Sequence, residues 1–369
     1  MSLAGKKRKV QIFYCLIFIA TIAALTRASG PSMAAGNELN ETCLSCHSNR
    51  DLQMTLESGD SISLYIDAGV FEGSVHGEMG YSCNECHTEY FGYPHPKVTA
   101  KNRRELTLDM YPMCTACHRK QIMEIQGNVH MVALTAGNPE AAVCTDCHGT
   151  HNIHHPAEPR SSIPQTCRKC HAQIYGLYEN SVHGAALIGE GNPDVPSCID
   201  CHGAHKLIGP NNSLMHLFSP KICANCHGDA NLMEKYGIST EVLDTYITDY
   251  HGTTVTLFQE VAPDQETNKP VCIDCHGVHD ILPPDDPGSH VIKENLLDTC
   301  RKCHPDATVN FPASWLSHDN PSPRRWPIVY YVTLFYKVLI PSVIGGMFVF
   351  VMSDFFRQRI NARRKMRRE

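Results

Sequence analysis

Nearly all the cysteines of this 369-residue chain stand in one recurring pattern. Eighteen of the nineteen form nine C-x-x-C pairs, and a histidine directly follows the second cysteine of every pair. Two thiols at this spacing can bond covalently to the two vinyl groups of one haem, and the adjacent histidine then lies under the iron as its proximal ligand. The pattern therefore predicts nine c-type haem attachment sites.

The predicted attachment cysteines and proximal histidines share this five-residue motif. The cysteines are Cys43, Cys46, Cys83, Cys86, Cys114, Cys117, Cys144, Cys147, Cys167, Cys170, Cys198, Cys201, Cys223, Cys226, Cys272, Cys275, Cys300 and Cys303. The proximal histidines are His47, His87, His118, His148, His171, His202, His227, His276 and His304. A disulfide framework or a zinc site would also use paired cysteines, but neither requires a histidine after each second cysteine.

Nine further histidines match the nine predicted irons one for one. Three lie in CHGTH, CHGAH and CHGVH, four end GSVH, GNVH, NSVH and TDYH, and two are assigned by counting. In that order they are His151, His205, His279, His76, His130, His183, His251, His95 and His318. A histidine three residues after a proximal ligand is too close along the chain to reach the far face of the same ring. We therefore expect it to ligate a neighbouring haem and so to cross-link successive repeats.

The remaining four histidines do not recur between repeats, and we expect them not to be ligands. They are His154, His155, His216 and His290.

The elements that must position these residues repeat as two-haem units. Units begin at Cys43, Cys114, Cys167 and Cys223, and a half unit begins at Cys300. We expect a short helix at each CxxCH motif and irregular loops at the Gly- and Pro-rich linkers. The alternation in residues 61–67 predicts a short strand of a hairpin, and a helix capped by Ser239 or Thr240 is expected before His251.

The predicted haem region is too small to bury a large core of its own. Residues 43–318 provide about 31 positions per predicted haem, so haem faces are expected to supply most of the apolar interior. The predicted fold class is a multihaem cytochrome c, with mostly short α-helices and irregular loops wrapped around covalently bound haems, little β-structure and one C-terminal transmembrane helix.

Both termini predict export and membrane attachment. Residues 1–35 combine four basic residues, an apolar run and small residues, as in a signal peptide; an uncleaved anchor is the alternative. Residues 326–353 are apolar enough for a transmembrane helix, and the Arg-rich residues 354–369 predict a cytoplasmic tail. Residues 36–320 are then a periplasmic domain of repeated two-haem units at the bacterial inner membrane.

Charge narrows the choice of partners. Residues 28–318 contain 17 Lys and Arg against 35 Asp and Glu, a formal net charge of −18. An acidic surface steers basic partners or simply keeps an exported domain soluble. No basic face interleaved with aromatic residues points to nucleic acid.

The recurring motifs also carry a family resemblance. Repeated CxxCH, CxDCHGxH, SVHG and GNPxxxxC over residues 43–318 resemble the doubled-CxxCH, cytochrome c3-like multihaem cytochromes of anaerobic respiration. The resemblance implies that the first histidine of each CHGxH is proximal, and that the second, like the SVHG histidine, is a distal ligand. The C-terminal anchor resembles periplasmic cytochromes that work beside a quinone-reactive, cytochrome b-like membrane subunit.

Two imidazoles per iron leave no open coordination position, so nine bis-histidine haems predict conduction and no independent catalysis. The expected function is electron transfer between the quinone pool, through a membrane subunit, and periplasmic cytochromes or reductases. One alternative is a multihaem reductase of nitrite, hydroxylamine or a sulfur oxyanion, which needs an iron with an open position. A second alternative is haem storage, which needs no rapid exchange of electrons.

Overall fold

The computed structural model describes residues 33–155, 158–209, 213–265, 268–315 and 318–367. Most of the predicted signal peptide, residues 1–32 with Cys15, lies outside the described residues. The chain divides into two compact units. The N-terminal unit comprises Met1–Tyr175 and Pro196–Gly209, and the C-terminal unit comprises Gly176–Val195 and Pro210–Glu369. The boundaries of the predicted signal peptide, haem domain, membrane helix and tail stay predictions.

The N-terminal unit consists of short helices and one hairpin. Its helices are α1 (Met33–His47), α2 (Ala68–Glu72), α3 (Val75–Glu78), α4 (Cys83–Cys86), α5 (Arg103–Met110), α6 (Arg119–Ile125), α7 (Val129–Thr135), α8 (Cys144–His148), α9 (Ser162–Arg168), α10 (Ala172–Glu179, which continues into the second unit) and α12 (Cys198–His202), with a 3₁₀ helix at Tyr111–Ala116. Strands β1 (Gln53–Thr55) and β2 (Ser61–Ser63) pair antiparallel, with Met54 opposite Ile62. This pairing confirms the predicted hairpin, although β2 is shorter than the predicted strand.

The C-terminal unit is also helical. Its helices are α11 (Val182–Gly184), α13 (Ser213–His227), α14 (Ala230–Glu234), α15 (Val242–Thr248), α16 (Tyr250–Val261), α17 (Cys272–His276), α18 (Leu296–Arg301) and α19 (Pro327–Met366), with a π turn at Ala185–Gly189 and a 3₁₀ helix at Pro312–Ser314. Across the described residues, short helices and one two-stranded sheet confirm the predicted fold class.

The helix before His251 is present, but the position of its predicted cap is wrong. Helix α15 begins at Val242 after Glu241, whereas Ser239 or Thr240 was expected as the cap. The Ser239 hydroxyl instead accepts a hydrogen bond from the Glu241 N–H at 3.2 Å, which makes a local turn ahead of the helix. Asp249 then ends α15 and caps α16, so Tyr250 belongs to a second helix.

Four of the CxxCH helices begin with the same device. The acidic residue between the two cysteines accepts a hydrogen bond from the backbone N–H of the residue before the motif. These bonds join Ser82 to Glu85 (2.6 Å), Val143 to Asp146 (2.8 Å), Ser197 to Asp200 (2.7 Å) and Val271 to Asp274 (2.7 Å). They satisfy a donor that the helix start leaves without a helical partner. The recurring acidic residue thus fixes where each of these helices begins.

The glycine after three of the free histidines allows two helices to meet. In SVHG and DYHG, a Cβ placed on Gly77, Gly184 or Gly252 would overlap the carbonyl oxygen of Phe71, Tyr178 or Tyr246, at the end of the preceding helix. In each case the residue two positions before the histidine caps the helix that carries the histidine. The Ser181 hydroxyl, for example, accepts a hydrogen bond from the Gly184 N–H at 3.1 Å. The cap and the glycine together hold the histidine between them in a fixed place.

Fully buried hydrophobic residues are few among the described residues. The one cluster of buried apolar side chains consists of Leu217, Val255 and Val271, with Phe218, Phe258 and Ile273 packed against it. It lies within the C-terminal unit, where α13, α16 and α17 pack together. The protein part alone therefore supplies a small apolar core.

Helix α19 differs from all other described helices in length and surface. It runs over 40 residues from Pro327 to Met366, past the predicted boundary at residue 353. Its segment Pro327–Arg364 is the one described helix long and apolar enough to cross a membrane. Its apolar side chains are exposed throughout.

Replacing Gly184 with alanine tests the close contact between α10 and α11. We expect Gly184→Ala to lower the free energy of unfolding by about 1–3 kcal/mol, because the new methyl group forces two backbones apart. Gly189→Ala is the matched control, since nothing lies within 4 Å of a Cβ at that position. Thermal unfolding of the purified holoprotein measures both variants; equal midpoints would contradict the role given to this glycine.

Candidate haem-binding sites

The CxxCH motifs sit at helix ends. Helices α1, α8, α12, α13 and α17 end at the proximal histidine of their motif. The other four motifs begin within a helix and finish one to three residues beyond it. After three proximal histidines the chain turns at Gly149, Gly203 and Gly277, whose φ angles are 77°, 78° and 85°. This left-handed conformation explains the glycine of CHGxH, since glycine adopts it without a steric penalty.

Proximal and free histidines meet in pairs. The ring centroids lie 6.2 Å apart for His47 and His95, 6.0 Å for His118 and His76, 5.9 Å for His87 and His151, 6.0 Å for His171 and His130, 6.1 Å for His148 and His205, 6.3 Å for His227 and His183, 6.3 Å for His304 and His251, and 6.2 Å for His276 and His318. Eight proximal histidines are thus each matched by one histidine of the predicted distal set.

This spacing fits one iron between two imidazoles. An imidazole nitrogen binds a transition metal at about 2 Å, so two imidazoles on opposite sides of one iron hold their ring centroids about 6 Å apart. Directly stacked or hydrogen-bonded rings would lie closer together. In addition, Nδ1 of His318 is buried and has no hydrogen-bond partner among the described residues. The histidines and the nearby cysteines therefore fit haem c.

The two kinds of free histidine pair in opposite directions along the chain. A histidine of the SVH type lies beside the first proximal histidine of the following unit, as His76 does beside His118. Two histidines of the CHGxH type, His151 and His205, lie beside the second proximal histidine of the preceding unit, His87 and His148. These two pairs therefore connect a unit to the one before it in the sequence.

Backbone hydrogen bonds bring the two kinds of histidine together. The N–H of Val75, directly before His76, donates to the carbonyl of Ile153, two residues after His151, at 2.8 Å. The same bond joins Val129 to Leu207 at 3.0 Å and Val182 to Ile281 at 2.8 Å. These contacts hold the residue two positions after each CHGxH histidine against the start of a helix that carries an SVH-type histidine.

Ring orientation separates the pairs into two groups. The planes lie within 18–29° of each other in the three pairs at the second haem site of a unit, with His87, His148 and His276 as proximal ligands. The angles are 32–60° in the five pairs at the first site of a unit or of the final half unit. The angle between the two rings thus follows the position of the site, first or second, within its two-haem unit.

Burial keeps these histidines in the form that binds metal. Burial, and then the positive charge of the partner imidazole, lowers the pKa of His148 and His276, and burial with His227 nearby lowers the pKa of His183 to about 4. A histidine must be neutral to ligate a metal. The Nδ1 atom of His47 lies 2.7 Å from the carbonyl oxygen of Leu64, which leaves its other nitrogen for a metal.

The attachment cysteines of consecutive sites are neighbours. Within each two-haem unit, the first thiols of the two motifs are within hydrogen-bonding reach of each other. These pairs are Cys43 and Cys83, Cys114 and Cys144, Cys167 and Cys198, and Cys223 and Cys272. Between units, burial and then the thiols of Cys114 and Cys117 raise the pKa of the Cys86 thiol. Burial and then the charge of Cys167 raise the pKa of the Cys147 thiol.

Sequence reasoning assigned no role to the aspartate of CxDCH, nor to the side chains that bind it. Arg104 holds Asp146 at 2.9 Å, Arg160 holds Asp200 at 2.8 Å, and His216 holds Asp274 at 3.0 Å. The recurrence of aspartate in three motifs could have suggested a shared role. Arg160 and His216 each stand seven residues before the next motif and Arg104 stands ten before it, and the residue type also changes, so no fixed sequence motif marks them.

Several histidines lie outside the eight imidazole pairs described above. His290, expected not to be a ligand, lies 3.0 Å from the Asp280 carboxylate. His216, expected not to be a ligand, is held by Asp274 as described above. His202 and His279 are the two members of the predicted ligand set outside the eight pairs, and their roles stay predictions.

Comparisons with known proteins agree with this geometry. The family model for cytochrome c3 matches residues 75–172, which contain four CxxCH motifs. The multiheme cytochrome MtrA of Shewanella baltica (strain OS185) is 23% identical over 199 residues, covering 51% of this chain and 53% of that protein. The chain is a multihaem c-type cytochrome.

This multihaem cytochrome spans about half the length of the curated relative it matches. No solved structure matched the chain. The match to the cytochrome c3 model implies covalently bound haem c, while the number of haems and their ligands are not given by the comparisons.

Removing one distal histidine tests the pairing of imidazoles. We expect His318→Ala to leave the iron bound by His276 with one imidazole, so that about one haem per chain becomes high-spin. Electron paramagnetic resonance of the oxidised protein measures this. The control is His154→Ala, which removes an exposed histidine outside the ligand set. A purely low-spin spectrum of His318→Ala would contradict the assignment of His318.

Proposed function

We propose that this chain is a nonahaem electron carrier in which every iron is bound by two histidines. The eighteen motif cysteines attach the haems, and the nine proximal and nine free histidines named above are the axial ligands. In this proposal the protein carries electrons between the membrane quinone pool and periplasmic cytochromes or reductases. A membrane subunit that reacts with quinone is its partner at the membrane.

The observation that carries the proposal is the set of eight imidazole pairs at 5.9–6.3 Å. A second imidazole on each iron occupies the position that a substrate would need. Bound haem iron supplies reversible one-electron oxidation and reduction. The chain's own contribution is therefore to attach, orient and shield the haems, and a reductase with an open iron finds no support in these pairs.

The neighbouring attachment cysteines support a route in sequence order. In the N-terminal compact unit, thiols within hydrogen-bonding reach join the two motifs of each two-haem unit, and electrostatic interactions of Cys86 with Cys114 and of Cys147 with Cys167 connect one two-haem unit to the next. In the C-terminal unit, Cys223 meets Cys272, and burial followed by the charges of Asp274 and Cys300 raises the pKa of the Cys275 thiol to about 11. Within each compact unit, every attachment site thus lies near the site that follows it in the sequence, as a conducting chain of haems requires.

The C-terminal helix supports attachment to the inner membrane. The exposed apolar segment of α19 is long enough to cross a bilayer, and its C-terminal end carries Arg357, Arg359, Arg363 and Arg364. Basic residues beside a membrane helix stay preferentially on the cytoplasmic side. In the proposed orientation the haem sites, which precede the helix, lie in the periplasm, where the predicted signal peptide would deliver them.

Counting haems and examining their spin state test the ligation proposal. We expect nine haems per chain in the pyridine haemochromogen assay and only low-spin ferric signals in the oxidised protein, because each iron has two imidazoles. A substantial high-spin signal from intact protein would favour a reductase with an open site. Stopped-flow reduction in nine independent slow phases would favour haem storage over electron transfer.

Truncation tests the membrane anchor. We expect a chain that ends at residue 325 to appear in the soluble periplasmic fraction with its haems, because the apolar helix is gone. Removal of residues 354–369 alone is the control and should leave the chain in the membrane fraction. Haem-stained gels of the two fractions give the result. Retention of the shorter chain in the membrane would instead point to the N-terminal segment as an uncleaved anchor.

A further inference from the structure

In three successive two-haem units, a side chain with a nitrogen donor contacts the carboxylate of the corresponding aspartate. The aspartate of CxDCH, which caps the helix of the second haem site, is held by Arg104 in the unit beginning at Cys114. Arg160 holds the corresponding aspartate in the unit beginning at Cys167. In the unit beginning at Cys223, the side chain in this place is His216.

The contacts are alike in geometry and surroundings. Arg104 approaches both oxygens of Asp146 at 3.1 and 2.9 Å, and His216 approaches both oxygens of Asp274 at 3.2 and 3.0 Å. The three side chains that bind the aspartates are 19–33% exposed, and the aspartates are 35–37% exposed. Each binding side chain precedes the first CxxCH of its own unit. We conclude that the three residues occupy one equivalent position of the repeat.

The chemical difference between these residues is a permanent charge. An arginine guanidinium is always protonated in proteins, whereas an imidazole is positive only after it gains a proton near neutral pH. Each aspartate lies two residues before a proximal histidine, so its charge acts on the iron that this histidine would bind. A negative charge there stabilises the oxidised iron, and a fixed positive charge beside it offsets the effect.

We propose that Arg104, Arg160 and His216 are positioning residues that act through these aspartates on the potential of the second haem in each unit. The two arginines place a permanent positive charge beside the carboxylate, which an imidazole does not. The haem at Cys272 and Cys275 therefore has a lower potential than those at Cys144 and Cys198. This inference rests on the proposed electron-transfer function, because it describes how the potentials along the chain are graded.

Reciprocal substitutions in the holoprotein test the proposal. At about pH 8, above the range in which histidine usually gains its proton, His216→Arg is expected to raise the potential of one haem. Arg104→His is expected to lower that of one other haem. The matched control is Arg103→His, next in sequence, whose guanidinium donates to the Ser61 carbonyl at 2.8 Å and not to a CxDCH aspartate. The measurement is a potentiometric titration followed by electron paramagnetic resonance.

Each outcome bears on the proposal separately from the function. The proposal is supported if His216→Arg raises the potential of one haem, Arg104→His lowers the potential of one other haem, and Arg103→His changes the potentials less. Unchanged potentials in His216→Arg, with nine low-spin haems retained, overturn it and leave the proposed function intact. High-spin haems in the unsubstituted protein would instead contradict the proposed ligand set. His216→Arg introduces the residue that the other two units already use, so the test does not depend on a variant that loses its fold.

Discussion

The spacing between paired imidazoles is the constraint on which the rest of the structure depends. Eight pairs lie at 5.9–6.3 Å, although the two members of each pair are 41 to 64 positions apart in the sequence. Two rings at this distance do not hold each other by direct contact, so the backbone must hold each ring separately. The helix caps, the turning glycines and the Val75-type hydrogen bonds do so. Much of the regular structure of the chain can be understood as support for these distances.

The two directions of pairing make the units interdependent. The unit beginning at Cys114, for example, receives His76 from the unit before it and His205 from the unit after it, so its own two sites are incomplete without neighbours. The ends of the series lack one neighbour, and the chain compensates there. His95 comes from within the first unit to meet His47, and His318 comes from beyond the last motif to meet His276. Repeat proteins generally need such atypical ends, because a terminal repeat has an unmatched side.

Sequence alone predicted the motifs, the membrane-length helix and the predominance of short helices over strands, because these depend on local spacing and composition. The hairpin was predictable from the alternation that includes Ile62. The direction in which His205 pairs was not, since it depends on where a distant backbone segment docks. The cap expected at Ser239 was misplaced because a serine hydroxyl can close a local turn as readily as it caps a helix.

The aspartate of CxDCH shows why a structural requirement can shape a redox property. Its hydrogen bond to the backbone N–H before the motif fixes the start of the helix that carries the second cysteine and the proximal histidine. An asparagine would still accept this bond, but an ionised carboxylate makes it stronger. Retaining the carboxylate places a negative charge beside each of these haem sites. The charge must then be balanced from outside the motif, and Arg104, Arg160 and His216 are the residues that reach it. Because these three residues lie outside the motif, they can differ between two-haem units without disturbing haem attachment. The charge beside one haem site can therefore vary while its helix start and ligand geometry stay the same.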